Sequence, residues 1–192
     1  MKLVSAAKLS KAQDAITAMR PYSEKLTELL QSLSASLDVD SASAFAEQRE
    51  VKKVLVVAIS SNRGLAGAFN TNIVKGARAV AASKYSDKNV EILTLGKKAN
   101  DVLSKTYTVA ENNNAIFDDL KYDNVAAIAE NIMQWFLDGK YDEISIVYNK
   151  FINAATQEVI TEQFLPIEKF ETEKNVNLDY IFEPEKEQIV KD

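Results

Sequence analysis

Residues 53–72, Lys-Val-Leu-Val-Val-Ala-Ile-Ser-Ser-Asn-Arg-Gly-Leu-Ala-Gly-Ala-Phe-Asn-Thr-Asn, decide how the rest of the chain is read. The run Val54 to Ile59 is apolar at consecutive positions, which fits a strand buried on both faces of a parallel sheet. A polar turn with Gly64 and Gly67 follows. Asn70 and Thr71 then stand as expected caps before a helical pattern from Ile73 to Ala82. Strand, glycine turn and helix in that order form the first unit of an α/β domain.

The chain after this unit repeats the alternation. Ser86-Asp87-Lys88-Asn89 is a polar turn, Val90 to Leu95 a second strand stopped by Gly96, and Lys97 to Ser104 a short helix. Tyr107 to Ala110 reads as a short strand, and Asn112-Asn113-Asn114 as loop. A helix runs to Leu137 with Asp123 or Asn124 as the expected cap. Val125, Ile128, Ile132, Trp135 and Phe136 lie on one face, and Gly139 ends it. Glu143 to Tyr148 is the next strand. Gln157 to Leu165 alternates like an edge strand, with Val159, Thr161, Gln163 and Leu165 expected on one side. These last two are joined by a few residues and should pair antiparallel; helices separate the others, which should be parallel. The expected fold is α/β: a doubly wound, Rossmann-like, mostly parallel sheet with an antiparallel edge strand.

Upstream, residues 1–38 read as one long helix. With Leu9 at heptad position a, the a series is Leu9, Ile16, Ser23, Leu30 and Leu37, and the d series Ala12, Met19, Leu26 and Leu33. Every position but Ser23 is apolar, a coiled-coil pattern. Pro21 should kink or loosen the helix. The competing reading is an amphipathic helix lying on the α/β core, but the helix is longer than a small sheet can cover. The seam therefore calls for another chain, a segment absent from this sequence, or self-association. The first turns carry Lys2, Lys8, Lys11 and Arg20 against the single acid Asp14, so this end is basic in a chain of net charge −5. Either a solvated face or a surface for an acidic partner accounts for that. The expected organisation is a shaft helix at 1–38, an α/β domain at 39–183, and at 184–192 the start of a further shaft helix.

Composition narrows the chemistry. The 192 residues contain no Cys and no His, which removes thiolate sites, the commonest general base and the usual serine-triad partner. Paired acids such as Asp118-Asp119 and Glu185-Glu187 sit in polar stretches with no apolar pocket around them. No catalytic residue, cofactor or metal site is expected. The acidic balance argues against nucleic-acid binding. With no apolar run near the roughly 20 residues of a span and no signal-peptide pattern, the chain is expected to be soluble, any membrane association being indirect. The turn Asn62-Arg63-Gly64-Leu65-Ala66-Gly67 invites a nucleotide- or small-ligand-binding reading, because glycine turns at helix N-termini can cradle phosphate. It lacks the first glycine of the dinucleotide fingerprint and the Gly-Lys-Ser/Thr ending of a P-loop. A tight strand–helix turn is the simpler reading.

Taken together, the sequence resembles the gamma-subunit family of the F-type ATP synthase, the central stalk of a rotary motor. Met1-Lys-Leu-Val-Ser-Ala-Ala-Lys-Leu and Arg20-Pro21-Tyr22 resemble the inner part of its N-terminal shaft helix. Ser61-Asn62-Arg63-Gly64-Leu65-Ala66-Gly67-Ala68-Phe69-Asn70 resembles its Asp-Arg-Gly-Leu-Cys-Gly signature, with Asn62 for the Asp and Ala66 for the Cys. Tyr148-Asn149-Lys150-Phe151-Ile152-Asn153 and Tyr180 to Pro184 resemble two later landmarks. Against the family pattern the chain looks truncated at both ends. The resemblance implies a non-catalytic subunit that couples proton translocation to ATP synthesis by rotating inside a ring of alpha and beta subunits, with epsilon and the membrane-ring c subunits as further partners. It implies a place at the cytoplasmic face of a bacterial inner membrane, or the equivalent organelle compartment. By the same resemblance Met1, Lys2 and Lys8 belong to the shaft facing the beta subunit, and Arg63 to a turn touching the ring. Arg63, Gly64, Gly67 and Asn70 form the signature turn, and Tyr180 and Glu183 the foot near epsilon and the c ring.

Overall fold

The computed structural model describes residues 2–36, 43–153 and 156–167, and the chain divides into two units, residues 1–43 with 169–192 and residues 44–168. In the first, α1 runs unbroken from Lys2 to Ser36 through Pro21. Leu9, Ile16, Met19 and Leu26, all on the expected seam, are exposed.

The second unit is a mixed five-stranded sheet in the order β3-β2-β1-β4-β5. After the short α2 (Ser43–Ala46), β1 (Lys53–Ile59) takes the centre. It pairs in parallel with β2 (Asn89–Leu95) on one side and β4 (Glu143–Asn153) on the other. β3 (Thr108–Asn112) adds in parallel to β2, and β5 (Thr156–Leu165) pairs antiparallel with β4. The helices α3 (Phe69–Ser83), α4 (Lys97–Leu103) and α5 (Tyr122–Leu137) cover the sheet. The β1 run is apolar throughout because it has no wet face. Val54, Val56 and Ala58 pack with Ile73 and Ala77 of α3 and Leu103 of α4. The alternate residues Leu55 and Val57 pack with Ile132 and Phe136 of α5 and with Tyr141. Two separate cores result, one on each side of a single strand.

The fit of α3 depends on one small residue. A Cβ on Gly76 would stand 2.9 Å from Val159 Cγ1 and 3.1 Å from Val147 Cγ1. The glycine lowers helix propensity by about 1 kcal/mol and lets the helix settle onto β4 and β5.

Three local expectations are corrected. Neither Asn70 nor Thr71 caps α3: the N-cap is Ala68, without a side-chain bond, and both residues lie inside the helix, the Asn70 side chain turned back to the preceding turn. Asp123 and Asn124 do not cap α5 either; the N-cap is Lys121, and Asn124 Nδ2 donates to the Asp119 carbonyl at 2.8 Å. The expected face Val159-Thr161-Gln163-Leu165 is broken, because the β4–β5 register shifts between Ile144 and Ser145 and leaves Phe164 as an extra residue. Val159 therefore packs on the α3 side and Leu165 on the α5 side.

The segments leading into and out of this unit lie side by side. Ile167 N donates to Phe45 O at 2.8 Å. The Asp142 carboxylate accepts from Lys52 N at 2.9 Å and Lys53 N at 2.8 Å. Arg49 Nη1 donates to Phe136 O at 2.8 Å while its guanidinium sits 4.7 Å from the Phe136 ring centre.

The β4–β5 pair also holds a perturbed phenol. Tyr148 donates to Glu162 Oε1 at 2.7 Å; burial, then the hydrogen bond to and the charge of Glu162, push its pKa up to about 12. A raised folded-state pKa stabilises the fold fully below the unfolded value near 10, and the contribution is lost as pH rises toward 12. An alkaline absorbance titration should show a late tyrosinate component near pH 12 that Tyr148→Phe removes. Its persistence in the variant would refute the assignment.

Candidate functional site

The signature turn is assembled from the residues between β1 and α3 and held by the start of α4. Ser60 N continues the ladder by donating to Leu95 O at 2.7 Å. Ser60 Oγ donates to Gly96 O at 3.2 Å and accepts from Ala99 N at 2.9 Å. Gly96, at φ 110°, brings the two strand ends together: a Cβ there would fall 2.2 Å from the Ser60 carbonyl oxygen.

Asn70 closes the turn from the other side. Its Oδ1 accepts from Ser61 N at 3.0 Å and Ser61 Oγ at 3.1 Å, and its Nδ2 donates to Arg63 O at 3.1 Å. Ser61 Oγ also reaches Arg63 O at 2.6 Å. Asn149 on β4 donates from Nδ2 to Phe69 O at 3.0 Å. So braced, the turn carries Leu65 at φ 58°, a backbone conformation that costs a non-glycine residue roughly 1 kcal/mol, with its side chain fully exposed. Arg63 and Gly64 are exposed beside it.

Part of the backbone N–H set that a phosphate cradle would use is occupied here. At the start of α4, the amides of Lys97, Lys98 and Ala99 donate to Asn62 Oδ1, Ser61 O and Ser60 Oγ. At the start of α3, the amides of Phe69 and Asn72 donate to Ala66 O and Ala68 O. These donors, among those an anion would use at a helix start, are engaged inside the protein.

Of the residues singled out from the sequence, Arg63, Gly64, Gly67 and Asn70 come together in this turn. Lys8 is exposed on α1, and Lys2 lies in the same helix. Met1, Tyr180 and Glu183 lie outside the described residues, as does the expected connection after residue 167. Sequence reasoning missed the buried cluster in which Tyr85 donates to Glu143 at 2.6 Å and meets Ser145 Oγ at 2.7 Å, with Lys84 paired to the same carboxylate. Burial, then the bond to Glu143, raises the Tyr85 pKa. The acid stood in an apolar strand, which was the available signal.

Charge is also sorted across the sheet. The segment from Arg63 to Tyr85 contains the cations Arg63, Lys75, Arg78 and Lys84 and no acid of its own, Lys84 pairing with Glu143 of β4, and the stretch around α4 holds Lys97, Lys98 and Lys105 with Asp101 alone. From Glu111 to Asp142, around α5, seven acids face two lysines. One side of the domain is basic and the other acidic, a distribution that orients a body among charged neighbours.

The structure thus holds a sheet domain with a braced, apolar-tipped turn, and a long helix whose apolar seam is exposed. A sequence profile of the ATP synthase family matches residues 1–192. The ATP synthase gamma chain of Christiangramia forsetii is 66% identical over 192 residues, covering 100% of this chain and 67% of its own length. That of Flavobacterium psychrophilum is 60% identical over 191 residues, with 99% and 66% covered. The central stalk and c-ring structure of the Tetrahymena thermophila mitochondrial ATP synthase matches with a TM-score of 0.67 at 20% identity, over 99% of this chain and 82% of the other. The chain belongs to the ATP synthase gamma chain family. It spans about two thirds of the length of the curated relatives it matches.

Proposed function

We propose that this chain serves as the central-stalk rotor subunit of an F-type ATP synthase, coupling proton translocation to ATP synthesis by turning inside a ring of alpha and beta subunits. The observation that carries this reading is family membership along the whole of residues 1–192. The exposed seam of α1 and the braced turn support it, since each offers apolar surface to a neighbour. The partners are the alpha and beta subunits, epsilon, and the c subunits of the membrane ring. Membrane contact is through the complex, at the cytoplasmic face of a bacterial inner membrane or its organelle equivalent. The sheet is of the doubly wound, Rossmann-like kind, as its strand order β3-β2-β1-β4 suggests, with residues 1–38 as shaft, 39–183 as the α/β domain and 184–192 opening a second shaft helix. Lys2 and Lys8 with Met1 face the beta subunit, Arg63 touches the ring, and Tyr180 and Glu183 stand near epsilon and the c ring.

In this role the chain has no catalytic site of its own. Its lack of His and Cys and the engaged amides around the turn support that. Mixed with alpha and beta subunits, the 192-residue chain should co-elute weakly or not at all in gel filtration. Extended to the length of its relatives, it should form a stable complex, because a two-helix shaft then buries the seam. An extended chain that still fails to assemble would sink the rotor reading, as would micromolar ATP binding by the chain alone in calorimetry.

A further inference from the structure

We propose that Asn62 is a positioning residue that joins the Arg63–Gly67 turn to the segment following β3, so that the exposed tips at Leu65 and Phe117 move as one body. The side chain bridges two partners far apart in sequence. Its Oδ1 accepts from Lys97 N at 2.9 Å, at the first turn of α4. Its Nδ2 donates to Asn114 O at 2.8 Å, where the 3₁₀ helix Asn114–Phe117 begins. The amide has one orientation here, since turning it over would set N–H against N–H and oxygen against oxygen.

The segment it holds is otherwise thinly tied. Asn113 N donates to Thr94 O at 2.9 Å, but Asn113 Nδ2 is buried without a hydrogen-bond partner among the described residues. The 3₁₀ helix itself is closed by the local bonds Ile116 N to Asn113 O at 3.4 Å and Asp118 N to Ala115 O at 2.9 Å. Phe117 at its end and Leu120 beyond it are exposed. The bond from Asn62 is what passes a displacement of the turn to this apolar surface, and of this surface to the turn. A carboxylate at the position would keep the acceptor for Lys97 N, lose the donor, and set an anion against the Asn114 carbonyl. The inference rests on this geometry and not on the rotor reading.

Residue-resolved hydrogen exchange on the full chain tests it. In Asn62→Asp the amides of Ile116 and Asp118 should exchange about tenfold faster while Lys97 stays within about twofold of the parent. In Asn62→Ala both groups should speed up. The proposal is overturned if Asn62→Asp leaves Ile116 and Asp118 unchanged, or if it loosens Lys97 equally. Should the variants not fold, the parent protein decides. A scalar coupling through the hydrogen bond from Asn62 Nδ2 to the Asn114 carbonyl is expected by NMR, and its absence with a freely exchanging side-chain amide refutes the bridge.

Discussion

Gly96→Ala is expected to destabilise the α/β unit by more than about 3 kcal/mol, roughly a 10 °C fall in Tm. Two costs add. At φ 110° an L-residue is strained whatever surrounds it, and the new Cβ would stand 2.2 Å from Ser60 O, 2.7 Å from its carbonyl carbon and 2.8 Å from its Oγ. The first two of these are backbone and cannot rotate away, so the ends of β1 and β2 must separate. With them go the bonds of Ser60 Oγ to Gly96 O and Ala99 N that set α4 against the turn. Gly67→Ala is the matched control. Gly67 has φ 56° but a Cβ there meets nothing within 4 Å, so the cost should be the conformational one, about 1 kcal/mol. Urea unfolding of both variants separates steric exclusion from backbone preference. Equal losses would show that the close approach of Ser60 and Gly96 is not what constrains the site.

The second large effect is Phe136→Ala, with an expected loss of about 3–5 kcal/mol. Phe136 is fully buried in the α5 core with Leu55, Val57, Ile132, Ile144 and Leu165, and the deletion leaves a cavity between the helix and the centre of the sheet. It also removes the ring under the Arg49 guanidinium, while the bond from Arg49 to the Phe136 carbonyl can persist. The single Trp of the chain, Trp135, packs edge-on to Tyr141 at 5.9 Å in the same layer, so its fluorescence reports on this unit. Limited proteolysis between Phe45 and Lys53 should quicken in the variant, since the incoming segment loses half its clamp. A loss below about 1 kcal/mol would mean that the core closes over the gap and that α5 is not the anchor of that segment.

Much of the architecture was legible. The consecutive apolar positions Val54 to Ala58 mark a strand without a wet face, and the structure puts a separate core on each side of it. The heptad residues of α1 and the alternation of strands and helices were equally plain, because each is a periodicity carried by neighbouring residues. The cap assignments failed for a related reason. Asn70 has the chemistry of a cap, but Ser61 and Arg63, brought back by the turn, compete for its side chain and win. The face of β5 was misread beyond Gln163 because one bulged residue, Phe164, reverses the alternation, and nothing in the strand's own composition marks it.

The sequence by itself determined the kinds and order of the main helices and strands, though not the 3₁₀ helix that opens at Asn114 where a loop was expected, together with the absence of imidazole and thiol chemistry and the family. These depend on residue identity and on spacing within a few positions. Only the tertiary structure decided that Gly96 must be glycine for the sake of Ser60, that Asn62 spans from α4 to Asn114, and that Glu143 is buried against Tyr85 with the exposed Lys84 paired to it. Such pairs are separated by tens of residues, and the hydrogen bonds and steric contacts that couple them act over about 3 Å, so they exist only once the sheet has brought the strand ends together.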